Sequence, residues 1–181
     1  METENKEIKW TSDPTHSEIE FSARHMMISN VRGNFQKFTV NATGSHNDPE
    51  KASFEVVIDP NSVNTRENDR DNHLRSADFF DVAKYPEIRF RSKSIKKVDA
   101  EKHIIRGDLT IKNVTKEIEL VSYVEGVIKD PYGKTRAGIS VEGEIKREDF
   151  GLVWNVVIEA GKVMVGSKIK ISAHVEMVMQ E

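Results

Sequence analysis

The chain has 181 residues and no cysteine. This excludes disulfide staples, thiol nucleophiles and cysteine-based zinc centres. It carries no run near the ~20 apolar residues that a membrane-spanning helix needs. The first ten residues, METENKEIKW, are acidic and polar, without the apolar stretch of a secretory signal. The expectation is a cytoplasmic protein; a periplasmic or secreted one whose signal was removed is the alternative. Neither sign of charge dominates: 27 basic residues face 30 acidic ones, a net charge of −3. No general nucleic-acid surface is expected from that balance. Apolar residues make up only 37% and aromatics 7%. That is lean for a thick helical core and suits a single domain, residues 1–181, with a polar outer wall.

The motifs of common chemistries are missing too. There is no G-x-S-x-G, and Gly161 to Gly166 reads GKVMVG, which is not a phosphate loop. The six histidines, His16, His25, His46, His73, His103 and His174, show no pairing at i, i+2 or i, i+4. Glu67, Asp69 and Asp71 lack the glycine and the distal glutamate of a calcium loop. They read as a solvated or locally hydrogen-bonded segment. No catalytic residue, metal or cofactor is expected.

What the chain does have is alternation. Ala52, Phe54, Val56 and Ile58 share one face against Ser53, Glu55 and Asp59. A period of two marks a strand with one apolar side. The same pattern runs through Ile19 to His25, Phe35 to Val40, Ile88 to Ile95, Ile105 to Ile111, Ile118 to Val124, Ala137 to Ile145 and Lys168 to Met179. Gly44 to Glu50 and Asp130 to Gly133 read as turns. Phe150 to Val165 is irregular. His46 and His103 fall in polar turns and are expected in solvent, with His174 on an outward face. His25 continues the inward register of Ile19, Phe21 and Ala23. It is either a structural histidine with a satisfied ring or a contact for a ligand head group.

The alternation breaks between Thr65 and Ser92. A charged run up to Arg75 leads into Ser76-Ala-Asp-Phe79-Phe80-Asp-Val82 and Tyr85-Pro86. Ser76 is expected to cap a short helix, which Pro86 ends by Tyr85. About eight antiparallel strands can close into a barrel or stack as a sandwich. Long strands at both ends favour the barrel, because pairing them removes the edges.

Several motifs carry a family resemblance in the expected order. They are Asp13-Pro-Thr-His16-Ser17-Glu-Ile19-Glu-Phe21 with Arg24-His25-Met26, Val31-Arg-Gly33-Asn-Phe35-Gln-Lys-Phe38, the insertion of Arg70-Asp71-Asn72-His73-Leu74 and then Ser76 to Pro86, Gly107-Asp-Leu109-Thr110-Ile111, and Arg147-Glu-Asp149-Phe150-Gly151-Leu152. Together they resemble the YceI-like domain, a bacterial lipid-binding family. The resemblance implies an all-β, eight-stranded antiparallel lipocalin-like barrel with a short helical insertion. It implies an elongated apolar tunnel for a polyisoprenoid, an isoprenoid quinone or a fatty-acid derivative, and a possible homodimer.

On that expectation Phe21, Phe38, Phe90, Leu109, Leu120 and Trp154 line the interior. His25 and Arg75 contact the head group, and Phe79 and Phe80 form a plug or lid at the mouth. Two other readings stand beside a carrier. One is an isomerase or hydrolase acting on an isoprenoid in the same cavity, with His25 as general base. The other is a stress-related interaction protein whose barrel is filled by its own side chains.

Overall fold

The structure, a computed structural model, describes residues 7–45 and 48–181. Its strands are β1 (Ile8–Ser12), β2 (Glu18–His25), β3 (Ser29–Phe35), β4 (Phe38–Ser45), β5 (Asp48–Ile58), β6 (Val63–Asn64), β7 (Ile88–Lys97), β8 (Lys102–Ile111), β9 (Val114–Lys129), β10 (Thr135–Lys146) and β11 (Val165–Met179). One helix, α1 (Asn68–Arg75), lies between β6 and β7. All pairings are antiparallel. The long strand β11 holds β1 at its C-terminal end and β2 along its N-terminal part. On the far side β1 pairs with β4, and β2 with β3.

Thus β1 with β2, and β3 with β4, are two staves that each break once. Counted so, the sheet is a closed barrel of eight staves that runs on through β5, β7, β8, β9 and β10 back to β11. Closure leaves no open edge on the ring. The apolar alternates point inward, as the period of two requires: Ile88 and Phe90 on β7, Ile105, Leu109 and Ile111 on β8, and Ala173, Val175 and Met177 on β11 are all buried.

Three local expectations are corrected. Phe35 to Val40 is not one strand: Gln36 and Lys37 separate β3 from β4. There the amide of Lys37 donates to the Ser62 hydroxyl and that of Gln36 to the Ser62 carbonyl, so the chain bends onto a neighbouring segment instead of continuing its ladder. The helix is the charged segment, not the phenylalanine segment after it. Glu67 caps it by accepting from the amides of Asp69 and Arg70. Asp69 and Asp71 sit in its first turn, and His73 and Arg75 in its last, each sign at the helix end that favours it. Ser76 closes the helix, its hydroxyl donating to the His73 carbonyl at 2.6 Å. His103 is not in solvent. It lies on β8 with only 3% of its surface exposed, on the same inward face as Ile105. Of the stretch expected as a turn, Gly44 and Ser45 belong to β4 and Asp48 to Glu50 to β5; His46 lies outside the described residues, as do residues 1–6.

A charge cluster sits on the outer face at one end of the barrel. Arg136 on β10 reaches Asp130 in the β9–β10 turn at 2.8 Å, Asp13 in the β1–β2 break at 2.9 Å and Glu176 on β11 at 2.6 Å. His16 joins Asp13 at 3.1 Å. Asp13, His16 and Glu176 stand close enough to hold a cation. The guanidinium of Arg136 already supplies that charge. Hydrogen bonds from Thr15, Arg136 and His16 hold the Asp13 carboxyl well below the usual carboxylate range. Arg136 likewise keeps Asp130 low.

A carboxyl whose pKa is lowered on folding stabilises the fold fully above its unfolded value, near 4. The contribution is lost as pH falls through the lower folded value. Arg136→Met is therefore expected to melt below the wild type at pH 7. The gap in Tm should narrow on acidification below about pH 4, read by thermal unfolding across pH. A constant gap would show that Arg136 acts through packing alone.

Candidate functional site: an apolar cavity with an aromatic mouth

Because the inward alternates do not meet at the barrel axis, they leave a cavity of about 520 Å³. That lies within the ~300–1,000 Å³ of small-molecule sites. Its walls are almost wholly aliphatic and aromatic, with contributions from Ile19, Val56, Ile105, Ile139, Ile171 and Val175. The polar side chains that reach it are Glu20, Arg24, His25, Asp69, Arg70, His73 and Arg147. Most of them come from the end of β2, from α1 and from the start of the irregular segment after β10. The interior is therefore a greasy bore with polar groups gathered at one opening.

The mouth is built by two segments that lack alternation. The first is α1 with the turns after it. Asp71, buried under the helix, accepts from the Thr65 amide at 2.8 Å and from its hydroxyl at 2.6 Å. The Arg70 guanidinium donates to that same hydroxyl at 2.7 Å and to the Thr65 carbonyl at 2.8 Å. These bonds seat the helix on β6. The acidic run thus serves as local hydrogen-bond acceptors. From this platform Phe80 packs edge-on to Phe35 at 5.7 Å, and Phe35 lies 5.4 Å from Phe21.

The second segment follows β10. A 3-10 turn, Arg147–Phe150, ends at Gly151 in the left-handed region, φ 75°. Arg147 is 2% exposed. It donates to the carbonyls of Leu152 (2.6 Å), Trp154 (2.9 Å), Gly166 (2.9 Å) and Val165 (3.2 Å). Burial pushes its pKa below the ordinary guanidinium value, with Glu148 3.5 Å away opposing the shift. With four carbonyls on its N–H fork, Arg147 is a tether for this loop and no free anion receptor.

The tether presents Trp154 to the mouth. Its ring meets the His73 ring edge-on at 4.5 Å and the Phe79 ring at 5.5 Å. His73 also contacts Phe79 at 5.0 Å and Asp78 through Nε2 at 2.8 Å. Such edge-to-face sets hold their geometry better than aliphatic contacts.

Of the residues expected at the site, Phe21, Phe90, Leu109, Leu120 and Trp154 are on the cavity wall, and His25, Phe79 and Phe80 line it near the mouth. Two are elsewhere. Phe38, at the start of β4, faces a shallow polar cleft with His16, Asn34 and His174. It packs against the buried core without contributing to the cavity lining. Arg75 points out of the site, to the carbonyls of Asn61 (2.9 Å) and Val63 (3.1 Å) and the side chain of Asn72 (3.0 Å). It pins the helix to the segment before it. The residues that the sequence reading did not single out for the mouth are His73, Arg70 and Arg147. Their signal was visible for the helix pair: they are three apart, so they share one face of α1.

Nor do the hydroxyls suggest acyl chemistry. Ser140 donates to Glu125 and lies 3.1 Å from His174 Nδ1. In a triad the acid must hold the ring, and here it holds the serine. This set also sits among the outward alternates of β10 and β11, away from the bore.

A closed antiparallel barrel of eight staves around one apolar cavity belongs to the class of barrels that can hold a single small ligand. The YceI-like domain model matches residues 10–177, and the chain belongs to this family. A UPF0312 protein of Staphylococcus aureus is 39% identical over 173 residues, covering 95% of this chain and 98% of its own. The crystal structure of the Campylobacter jejuni YCEI protein is 36% identical, with a TM-score of 0.77 over 87% of this chain and 90% of that one. Burkholderia cenocepacia BcnA shares the fold at 20% identity, with a TM-score of 0.78 over 91% and 98%. So does a polyisoprenoid binding domain from Saccharophagus degradans, at 18% identity and a TM-score of 0.66 over 95% and 98%.

Proposed function

We propose that this barrel binds a long-chain amphiphile, a polyisoprenoid, an isoprenoid quinone or a fatty-acid derivative, and sequesters or transports it without making or breaking a bond. The observation that carries the reading is the cavity: a long apolar bore with its polar groups gathered at one end. Burying hydrocarbon gains roughly 0.8 kcal/mol per CH₂. A tail of about fifteen carbons therefore outweighs the ordering cost of binding without any reactive group. A polar head would rest among His25, Arg70 and His73, under the edge of Trp154. The Saccharophagus degradans relative, described as polyisoprenoid binding, supports the ligand class. An open bore speaks against a barrel filled by its own side chains. Cytoplasmic residence and a homodimer complete the proposal.

The test is native mass spectrometry of protein purified from its own host, followed by organic extraction. One long-chain species per chain is the expected result. An empty barrel that also refuses added quinone and polyprenyl lipid would overturn the carrier reading. Turnover of the extracted lipid on incubation would replace it with an enzyme.

A further inference from the structure

The β2–β3 turn at Met26 and Met27 has φ of 51° and 62°. The Ile28 amide donates to the His25 carbonyl at 3.1 Å. Two successive left-handed residues at the centre of a β-turn, here within the three-residue loop 26–28, are the geometry that normally selects Asn-Gly. Here they are two methionines followed by an isoleucine. The turn holds Met27 45% and Ile28 74% exposed.

A second small hairpin lies beside it, closed by a bridge between Val157 and Val163 and by the Ile158 amide on the Lys162 carbonyl. The two are joined directly. Met26 donates to the Met164 carbonyl at 2.8 Å, and Met164 to the Val156 carbonyl at 3.0 Å. This second element exposes Val153 (65%), Val156 (41%) and Val157 (73%). Five large apolar side chains thus share one lip.

We propose that this lip docks the barrel on the surface of an anionic lipid bilayer, with the cavity mouth facing the membrane. The inference rests on the reading of the barrel as a lipid carrier. Two observations choose the bilayer over other occupants. The first is charge. The two lip segments, residues 24–32 and 153–164, carry Arg24, Arg32 and Lys162 against one carboxylate, Glu159, and all four are exposed. This is a local excess of positive charge in a chain whose net charge is −3. Exposed apolar side chains with cations on the same segments, Arg24 among them bonded to the Met27 carbonyl at 3.0 Å, suit the headgroup boundary of an anionic membrane.

The second is continuity. The same segments contribute Arg24, His25, Val31, Trp154 and Met164 to the cavity lining. A lipid leaving the bilayer beneath the lip would enter the bore without crossing water. Elsewhere, Val127, Ile128 and Tyr132 are exposed at the β9–β10 turn, beside the Arg136 cluster, but residues 127–135 contribute nothing to the cavity lining.

The experiment is flotation with extruded phosphatidylcholine vesicles, with and without a phosphatidylglycerol fraction of about a third. It compares the wild type, the double variant Ile28→Asp/Val157→Asp and the control Ile128→Asp. The wild type and the control should float with anionic vesicles, less so with phosphatidylcholine alone or in high salt. The double variant should lose binding by about tenfold or more. It should also extract a fluorescent polyprenol from vesicles more slowly, while binding the same probe presented in detergent as the wild type does.

Equal flotation of wild type and double variant overturns the proposal. So does a wild type that ignores vesicles but forms a dimer that the double variant cannot form, since the lip would then belong to a second copy. Failure of every form to bind the probe in detergent would sink the carrier reading instead, and the flotation result would still judge the lip.

Discussion

Leu120→Asp is expected to weaken binding of a long-chain lipid about a hundredfold or more, with the barrel still folded. Leu120 sits midway along β9, opposite Gly143 on β10, and its side chain lies over that glycine. A Cβ added at Gly143 would meet Leu120 Cδ2 at 2.4 Å. The glycine thus makes room for the leucine, and the leucine forms part of the wall.

An aspartate here has two options, both adverse to binding. It can stay ionised and keep water, which a hydrocarbon chain must then strip away. Or it can take up a proton and present a carboxylic acid with no partner in an apolar wall. Either cost falls on the bound state more than on the free one, because the unoccupied bore can admit water near the carboxylate. Circular dichroism and thermal unfolding check the fold, and titration with a polyprenyl lipid reads affinity. A folded variant that binds as the wild type would show that the ligand does not lie along this part of the wall.

The residues most legible in the sequence are those of regular strands. Phe90, Leu109 and Leu120 fall on the inward alternation, and a period of two leaves little freedom about which side faces the bore. Phe38 obeys the same arithmetic and packs on the core, yet is not part of the cavity lining, because alternation says nothing of the break just before it. Gln36 and Lys37 carry no glycine or proline to announce it. The first stave was read from Ile19 onward because β1 is only five residues long. Its partners, Met177 to Met179 and Asn41 to Gly44, are distant in sequence.

His103 misled for a different reason. A polar residue beside Lys102 reads as a turn, yet it lies on the buried side of a hairpin strand. The helix misleads because Ser76 looks like a beginning. A serine whose hydroxyl reaches back to a carbonyl three residues earlier is an end, and the acid-first, base-last order of residues 67–75 was the better guide. The mouth was least legible. Its contacts, His73 on Trp154 and Arg147 on four carbonyls, join segments whose sequence has no period to read.

Arg147→Met should cost about 3–5 kcal/mol of stability, the largest loss expected from any single change at the mouth. The Glu148 ion pair, at 3.5 Å, is the smaller part of the cost, since that carboxylate keeps the Ser167 hydroxyl as a partner at 2.8 Å. Most of it comes from the carbonyls of Leu152, Trp154 and Gly166, which lose the guanidinium together, while Val165 keeps the Asn155 Nδ2 donor at 2.9 Å. Each orphaned buried carbonyl costs about 1–3 kcal/mol, less whatever water recovers. Methionine fills similar volume but donates nothing.

For a chain of this size that corresponds to a fall in Tm of roughly 10 °C or more. Arg147→Lys should recover only part of it, because an ammonium is a point donor and cannot span four carbonyls held around a planar fork. The loop is also what aims Trp154 at His73, so the same variants should move Trp154 into water and weaken lipid retention before the barrel unfolds. Differential scanning calorimetry with tryptophan emission follows both. If Arg147→Met melts with the wild type, burial of Phe150 and Leu152 holds the loop by itself, and the guanidinium only fills space.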